Sequence, residues 1–240
     1  MRILVLSDIH ANLTALEAVI ADAGEFDAVW CLGDIVGYGP DPEECLAAVR
    51  AMPGLVCVLG NHDAAMIGEI DAQAFNPEAR LSIEWTRQVV TEDNLAFTAD
   101  LPKYTAVDRV TIVHGSPRAP TYEYLLHPYT ATLNFAYFET DFSFFGHTHI
   151  PTLFKLKNGY ADLFVLEGTG EFTLEPRLMI NPGSVGQPRD RDPRASYAFY
   201  DTANDLWEYR RVAYDIPAVQ ARMRALDLPS KHIQRLAEGW

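Results

Sequence analysis

Five short apolar runs, each followed by Asp, Asn or His, constrain the fold of this chain more than any other feature. Each run has the length of a buried β-strand. The runs and their polar followers are Ile3–Leu6 before Asp8 and His10, Ala28–Leu32 before Asp34, Leu55–Leu59 before Asn61 and His62, Val110–Val113 before His114, and Phe142–Phe145 before His147 and His149. Open α/β sheets place their sites at the carboxyl ends of strands. The sequence therefore predicts one polar cluster formed by five strand ends.

The segments between these runs predict the fold class. Residues 2–63 alternate strands with helical patterns, and Asn12 and Asp41 stand where helix caps are expected. Strands joined by single helices predict a parallel sheet, and the period-two strands after His149 predict a second, mainly antiparallel sheet. We expect an α/β fold in one domain over residues 1–240, with a helical insertion at about 64–103 and a helical hairpin at about 215–238.

Charge and composition narrow the classes of partner. The net charge of −14 argues against an extended nucleic-acid surface, because such a surface must be basic. It leaves a small anionic substrate open, since bound cations invert the local field. No run approaches the roughly 18 to 20 apolar residues of a membrane span, and no signal-peptide pattern follows Met1. We expect a cytoplasmic protein with no membrane partner; its oligomeric state, a homo-oligomer included, stays open.

The polar followers have the composition of a metal site. Asp8-x-His10 and His147-x-His149 each put two ligand types on one side of an extended strand end. Seven donors are too many for one tetrahedral ion, but they suit two ions that share a carboxylate. Mixed imidazole and carboxylate donors favour Mn, Fe, Ni or Zn over Ca or Mg. The donors are Asp8, His10, Asp34, Asn61, His114, His147 and His149.

Each of these residues alone has a simpler interpretation. An Asp or Asn after a strand is commonly a turn or cap residue, and a single strand-end His is commonly a hydrogen-bonded structural group. We keep that structural interpretation for His127 and His232, which no pattern accompanies. For the seven together it fails, because buried, unpaired imidazoles and carboxylates on every neighbouring strand are costly without an ion.

These motifs resemble a known family. Asp8-x-His10, Gly33-Asp34, Gly60-Asn61-His62-Asp63, His114 and Gly146-His147-x-His149 resemble the five blocks of the calcineurin-like metallophosphoesterase superfamily. The turn Asn181–Ser184, followed by Arg189, resembles its small bacterial phosphodiesterase branch. The resemblance implies a four-layer sandwich, in which two facing mixed β-sheets are flanked by helices.

The resemblance also implies a role for each site residue. Asp8, His10 and His149 would bind a first divalent transition-metal ion, and Asn61, His114 and His147 a second, with Asp34 bridging them. Mn is the first choice of metal, with Fe, Ni or Zn as alternatives. Of the two catalytic residues, His62 would lie beside the phosphoryl group, and Asp63 would hold its ring.

The implied reaction is hydrolysis of a small organic phosphate ester, by preference a diester. A metal-bound hydroxide would attack, and His62 would protonate the leaving oxygen. The family's protein phosphatases carry Asp-Arg-Gly where this chain has Gly37-Tyr38-Gly39, and Glu where it has Asp63. A protein phosphatase is therefore the less favoured alternative. A non-catalytic metal-binding interaction module is another, although members resembling the retromer subunit have lost ligands that this chain retains.

Arg189 and Tyr38 are the candidate substrate-binding residues. The Arg189 guanidinium matches phosphate geometry, but Arg189 is also a candidate for a surface ion pair with Asp190 or Asp192. Tyr38 could stack on a nucleobase or simply pack the loop that carries it. The sequence leaves both alternatives open.

Overall fold

Two six-stranded β-sheets face each other in the computed structural model, which describes all 240 residues. The first sheet has the spatial order β3 (Val56–Cys57), β2 (Ala28–Cys31), β1 (Arg2–Leu6), β11 (Ala195–Asp201), β12 (Leu206–Val212) and β9 (Gly170–Thr173). The second has the order β4 (Tyr104–Val107), β5 (Val110–Val113), β6 (Phe142–Phe144), β10 (Leu178–Asn181), β7 (Thr152–Lys157) and β8 (Tyr160–Val165). Both sheets are mixed.

The five strands that the sequence predicts to carry the site all run parallel to a neighbour in their sheet. In the first sheet β1, β2 and β3 are parallel, and in the second β5, β6 and β10 are parallel. The remaining pairs are antiparallel. The carboxyl ends of both parallel groups supply the site, so it lies across the ends of the two sheets rather than on one.

Alternation along the strands explains the layers. On β1, Ile3 and Val5 pack into the apolar layer between the sheets, and Leu4 and Leu6 pack outward against helices. The outward cluster on the first sheet includes α1 (Leu13–Ala23) and α2 (Pro42–Arg50), while α6 (Pro128–Asn134) covers the second sheet. The order of helix, sheet, sheet and helix confirms the predicted four-layer sandwich.

The remaining helices lie in the two segments predicted to be helical. Between β3 and β4 the chain forms α3 (Asn61–Met66), a short 3₁₀ turn (Ala72–Ala74), α4 (Pro77–Val89) and α5 (Glu92–Ala99). The tail forms α7 (Ile216–Ala225) and α8 (Ser230–Glu238), which pack on each other. No helix combines the length and the apolar character needed to cross a bilayer.

Two local expectations are wrong. The sequence pattern predicts a single returning strand over Val107–His114, but Tyr104–Val107 pairs antiparallel with Val110–Val113 in a hairpin. The turn is made possible by Asp108, which takes a positive φ of 49°. Asp41 does not cap α2 with its side chain; its carboxylate instead pairs with Arg222 of the C-terminal helices, 2.8 Å away. Asn12 caps α1 as expected, through Ala15 N–H at 3.1 Å.

Candidate metal centre and active site

The structure brings all seven predicted donors together in one buried cluster. Each of the seven side chains is at most 7 % exposed. They follow five different strands, six of them in loops and Asn61 at the start of α3. Asp8, His10, Asp34, His147 and His149 have positive φ values between 49° and 66°. Non-glycine residues rarely take this conformation, and it persists only where the surroundings enforce it. The loops are therefore shaped to aim these side chains inward.

The donors fall into two groups. In the first, His149 Nε2 lies 3.2 Å from Asp8 Oδ1 and 3.0 Å from His10 Nε2. In the second, His114 Nε2 lies 3.0 Å from Asn61 Oδ1 and 3.1 Å from His147 Nδ1. The groups coincide with the two ligand sets that the family resemblance implies.

Asp34 lies between the two groups. Its Oδ2 is 3.7 Å from His10 Nε2 and 3.3 Å from His114 Nε2. Its Oδ1 accepts a hydrogen bond from the His62 main-chain N–H at 2.8 Å. Gly60 lies against this carboxylate so closely that a Cβ there would collide with it. One carboxylate oxygen thus faces both groups, while the other is held by the backbone.

The contacts of the second ring nitrogen in each of the four donor histidines show whether divalent cations fit the cluster. In every case it lies within hydrogen-bond distance of a main-chain carbonyl: His10 at Val36 (3.0 Å), His114 at Leu32 (2.8 Å), His149 at Gln187 (2.6 Å) and His147 at Tyr122 (3.1 Å). A nitrogen that donates to a carbonyl leaves the inward nitrogen as a lone pair, which is the usual arrangement of metal-binding histidines. Asp8 Oδ1 is also buried without a hydrogen-bond partner. Converging lone pairs and an orphan carboxylate oxygen fit divalent cations.

The protonation states of the donors are also consistent with divalent cations at the cluster. Burial alone would raise the pKa values of Asp8 and Asp34, but the neighbouring imidazoles outweigh it and hold both pKa values well below the usual range. Burial lowers the pKa of His10 and His149, and it lowers that of His147 to about 3. His114 differs, because Asp34 overcomes the effect of burial and raises its pKa to about 9. Most of the donors are therefore in the deprotonated form that binds a metal.

His62 lies beside the first donor group, but Asp63 does not hold its ring. The His62 ring is edge-on to His10, with centroids 5.0 Å apart, and its Nε2 is 3.0 Å from the Tyr38 hydroxyl. The Asp63 carboxylate accepts from the Val36 and Gly60 N–H groups, each at 3.1 Å. His62 Nδ1 has no hydrogen-bond partner. The expectation for Asp63 is corrected: its carboxylate ties two loops together, since both oxygens meet main-chain donors.

The surface ion pair considered for Arg189 is not formed. Asp190 pairs with Arg211, and Asp192 pairs with Arg194. The Arg189 guanidinium instead lies 3.2 Å from the Gln187 side-chain oxygen and 3.4 Å from the Tyr38 hydroxyl, and its Nε is buried without a partner. Arg189 and Tyr38 thus contact each other beside His62.

Three further residues at the site had no signal in the sequence. Tyr124 stacks on His147 with ring centroids 3.8 Å apart, and Phe75 packs edge-on to His62 at 5.1 Å. His232 of α8 is buried and packs on Tyr38 at 4.4 Å. These contacts join segments far apart in sequence, so no local spacing indicates them. His127, by contrast, is exposed at the start of α6, away from the cluster.

Comparison with known proteins identifies the family. Residues 1–205 match the model of the calcineurin-like phosphoesterase superfamily domain. The chain belongs to the calcineurin-like phosphoesterase superfamily. It is therefore a phosphoric ester hydrolase of a family that depends on divalent metals. The His and Asp clusters that could hold metal ions are Asp8, His10 and His149; Asp34, His114 and His147; and His10, Asp34 and His62.

Individual relatives show how far the likeness extends. A crystal structure of a metallophosphoesterase from Sphaerobacter thermophilus is 44% identical, with a TM-score of 0.92 over 100% of this phosphoesterase and 99% of that chain. An uncharacterized protein of Methanocaldococcus jannaschii is 36% identical over 99% of this chain and 98% of its own length. A symmetrical bis(5'-nucleosyl)-tetraphosphatase of Pectobacterium carotovorum is 34% identical, but over only 34% of this chain and 31% of that protein.

Proposed function

We propose that this phosphoesterase binds two divalent transition-metal ions and hydrolyses small phosphodiesters. The observation that carries the proposal is the position of Asp34 Oδ2 between the two donor groups, 3.7 Å from His10 Nε2 and 3.3 Å from His114 Nε2. A shared anionic ligand between two donor sets is the arrangement of two-metal phosphoryl-transfer sites. Asp8, His10 and His149 would hold one ion, and Asn61, His114 and His147 the other. Their imidazole content favours Mn, with Fe, Ni and Zn as alternatives.

The protein's own residues would orient the ester and move its proton. Bound ions supply positive charge to the phosphoryl oxygens and an activated water. His62 Nε2 is the candidate acid for the leaving oxygen. The Tyr38 hydroxyl, 3.0 Å away, is the group placed to exchange a proton with it. Burial lowers the pKa of His62 to about 4, so the acidic form depends on the negative charge of a bound phosphate.

Arg189 would bind a phosphate oxygen. Its guanidinium donates to neutral side-chain oxygens, Gln187 Oε1 and the Tyr38 hydroxyl, and forms no ion pair, although burial makes an unpaired cation costly. A phosphate anion between Arg189 and the metal site would supply the missing charge, and guanidinium accepts it bidentately. The Tyr38 hydroxyl contacts both the Arg189 guanidinium and His62 Nε2. We therefore assign Tyr38 a positioning role.

The two alternatives receive less support. A protein phosphatase of this family would carry an Arg in the loop where Tyr38 lies, and here that loop instead packs the Tyr38 ring against His10 and His62. An interaction module without turnover has no need for a candidate acid and an unpaired guanidinium beside a complete donor set.

Turnover of bis-p-nitrophenyl phosphate tests the proposal. The protein is stripped with a chelator and then reloaded with Mn, Fe(II), Ni, Zn or Mg, and bound metal is counted by elemental analysis. We expect about two ions per chain, turnover with Mn well above that with Mg, and little turnover in the stripped protein. Two bound ions without turnover of any mono- or diester would leave the interaction module as the better account.

A further inference from the structure

A cleft runs from the metal site between the helical insertion and the loop that precedes α6. Its inner part is a cavity of about 240 Å³ whose floor includes His62 and His147. Its outer part is a cavity of about 300 Å³, and Ile70 and Tyr122 line both parts. The outer volume is at the lower end of the range for small-molecule sites, about 300–1,000 Å³, and the inner volume is slightly below it. The cleft has room for a substituent of the ester beyond its phosphoryl group.

The walls of the inner part are aromatic. Phe75 comes from the insertion and lies edge-on to His62, and Tyr124 comes from the opposite loop and stacks on His147. Tyr122 and Tyr124 are 56% and 48% exposed, so folding leaves large parts of both side chains in water. The Tyr122 carbonyl lies 3.1 Å from His147 Nε2, which ties this wall to a predicted metal ligand.

The residues that line the cleft favour an uncharged occupant over a second highly charged group. Lys103 is the one cation lining either part, and its Nζ lies 2.9 Å from the Glu69 carboxylate in the outer part. The inner part is lined by no Lys or Arg, and Arg189 lies outside both linings. A polyphosphate arm would meet one cation that is already paired in the outer part and none that lines the inner part, whereas a flat, uncharged ring would meet aromatic residues on two sides.

We propose that this cleft binds a planar aromatic group of the phosphate ester, with its phosphate held at the metals and Arg189. The inference rests on the proposed function for the position of the phosphate. Aromatic side chains attract flat rings more than saturated rings of similar size, because stacking adds to the burial of area. The cleft begins at His62, so the aromatic group would belong to the leaving alcohol if His62 is the acid. Phe75, Tyr122 and Tyr124 are then specificity-determining residues.

Paired phosphonates test the inference without requiring turnover. Benzylphosphonate and cyclohexylmethylphosphonate present the same anion and a six-membered ring, flat in the first and saturated in the second. Calorimetry with the Mn-loaded protein should show benzylphosphonate binding about tenfold more tightly, within the range of single ring-stacking contacts. Equal affinity for the two ligands in the wild-type protein would overturn the proposal, even if the enzyme proves an active phosphodiesterase.

Variants locate the preference in the cleft. Phe75→Leu and Tyr122→Leu keep apolar side chains but remove the rings, so each should reduce the preference to about twofold or less. Tyr122 is half-exposed, so its variant is expected to fold even if the Phe75 variant does not. Tyr160→Leu is the matched control, an exposed tyrosine on β8 that lines neither part of the cleft. A preference that survives in both cleft variants, or disappears in the control, contradicts the assignment.

An adenine-bearing acyclic phosphonate then distinguishes a nucleobase from a simple aryl group. Tighter binding than benzylphosphonate, reduced by Tyr122→Leu, identifies a nucleotide-like ester. Binding between that of benzylphosphonate and that of cyclohexylmethylphosphonate identifies a small aryl ester. Binding weaker than that of cyclohexylmethylphosphonate would count against a planar-group site of the proposed size.

Discussion

The metal-binding edge and the cleft beside it are built in opposite ways. At the edge, every donor is almost fully buried, and four ring nitrogens are held at main-chain carbonyls. In the cleft, Tyr122 and Tyr124 are half-exposed, and the Lys103–Glu69 pair lies at the surface. If the proposals above hold, the backbone fixes the residues that carry the chemistry, whereas the choice of ester depends on side chains that the fold does not need.

This contrast has a consequence for mutational tolerance. Removing a metal-donor side chain leaves its buried partners unsatisfied and disturbs its neighbours, because the ligand atoms of neighbouring donors lie about 3 Å apart. Removing the half-exposed side chain of Tyr122 from the cleft uncovers little that was buried. We expect edge variants to change metal content and activity together, and cleft variants to change only substrate preference.

The largest effect is expected from Asp34→Asn. The amide keeps an oxygen for the His62 N–H but replaces the charged Oδ2 that faces His10 and His114, so both ions lose a shared anionic ligand. Elemental analysis should show metal content well below wild type at both sites. Asp8→Asn is the comparison, since Asp8 belongs to one group and should mainly weaken one ion. Two full equivalents retained by Asp34→Asn at unchanged affinity would end the bridging assignment.

His62→Ala tests the boundary between the two regions. Its imidazole is not needed for the donor sets proposed above, so metal content should stay at the wild-type level. The kcat should fall by about 10²–10⁴, the range for loss of a general acid. The fall should be smaller for p-nitrophenyl esters, whose leaving group needs little protonation. Loss of metal, with equal loss on all substrates, would instead make His62 a ligand.

The same contrast explains what the sequence allowed us to predict. The donors Asp8, His10, His147 and His149 follow apolar strands directly, so strand periodicity and spacing place them at one edge. Arg189, Phe75 and Tyr124 reach the site from a turn, an insertion and a loop whose positions depend on tertiary packing. The sequence offered two alternatives for Arg189, and only the pairing of Asp190 with Arg211 and Asp192 with Arg194 separates them.

The misassigned details have the same origin. The Asp63 side chain was expected at the His62 ring, but the donors it meets are the main-chain N–H groups of Val36 and Gly60, which only the folded loops bring near. The β4 strand was missed because its residues alternate between exposed and half-buried, without the apolar run that marks β5. Contacts that form only when a second segment of the chain folds nearby cannot be recognised from local sequence patterns.

Arg189→Ala should have a smaller effect, confined to substrate binding. We expect KM for an aromatic phosphodiester to rise about tenfold with little loss of metal, because a charge-assisted contact is removed and the donor sets are untouched. Arg189→Lys should recover only part of this, since Lys lacks the planar fork. Arg191→Ala is the control, an exposed arginine two residues away. Unchanged KM in Arg189→Ala would remove this residue from the substrate site.

The smallest effect concerns the support behind the site, where α8 packs His232 against Tyr38. Burial lowers the pKa of His232 from 6.5 to about 3; Arg235, His62 and Arg189 act in the same sense, and the Glu78 main chain opposes them. The unfolded chain then binds more protons than the folded chain between these pH values. The stability contributed by neutral His232 is therefore complete above pH 6.5 and is lost as the pH falls through this window.

Urea unfolding at pH 8 and pH 5 measures this contribution. At pH 5 the loss from His232 amounts to about 2 kcal/mol. His232→Phe keeps a ring against Tyr38 but cannot take up a proton, so the variant should lose about 2 kcal/mol less than wild type between the two pH values. Exposed His127→Phe should behave as wild type. If wild type and His232→Phe lose equal stability, α8 does not hold a neutral histidine behind Tyr38. The rigid part of the site would then extend no further than the loops that carry the donors.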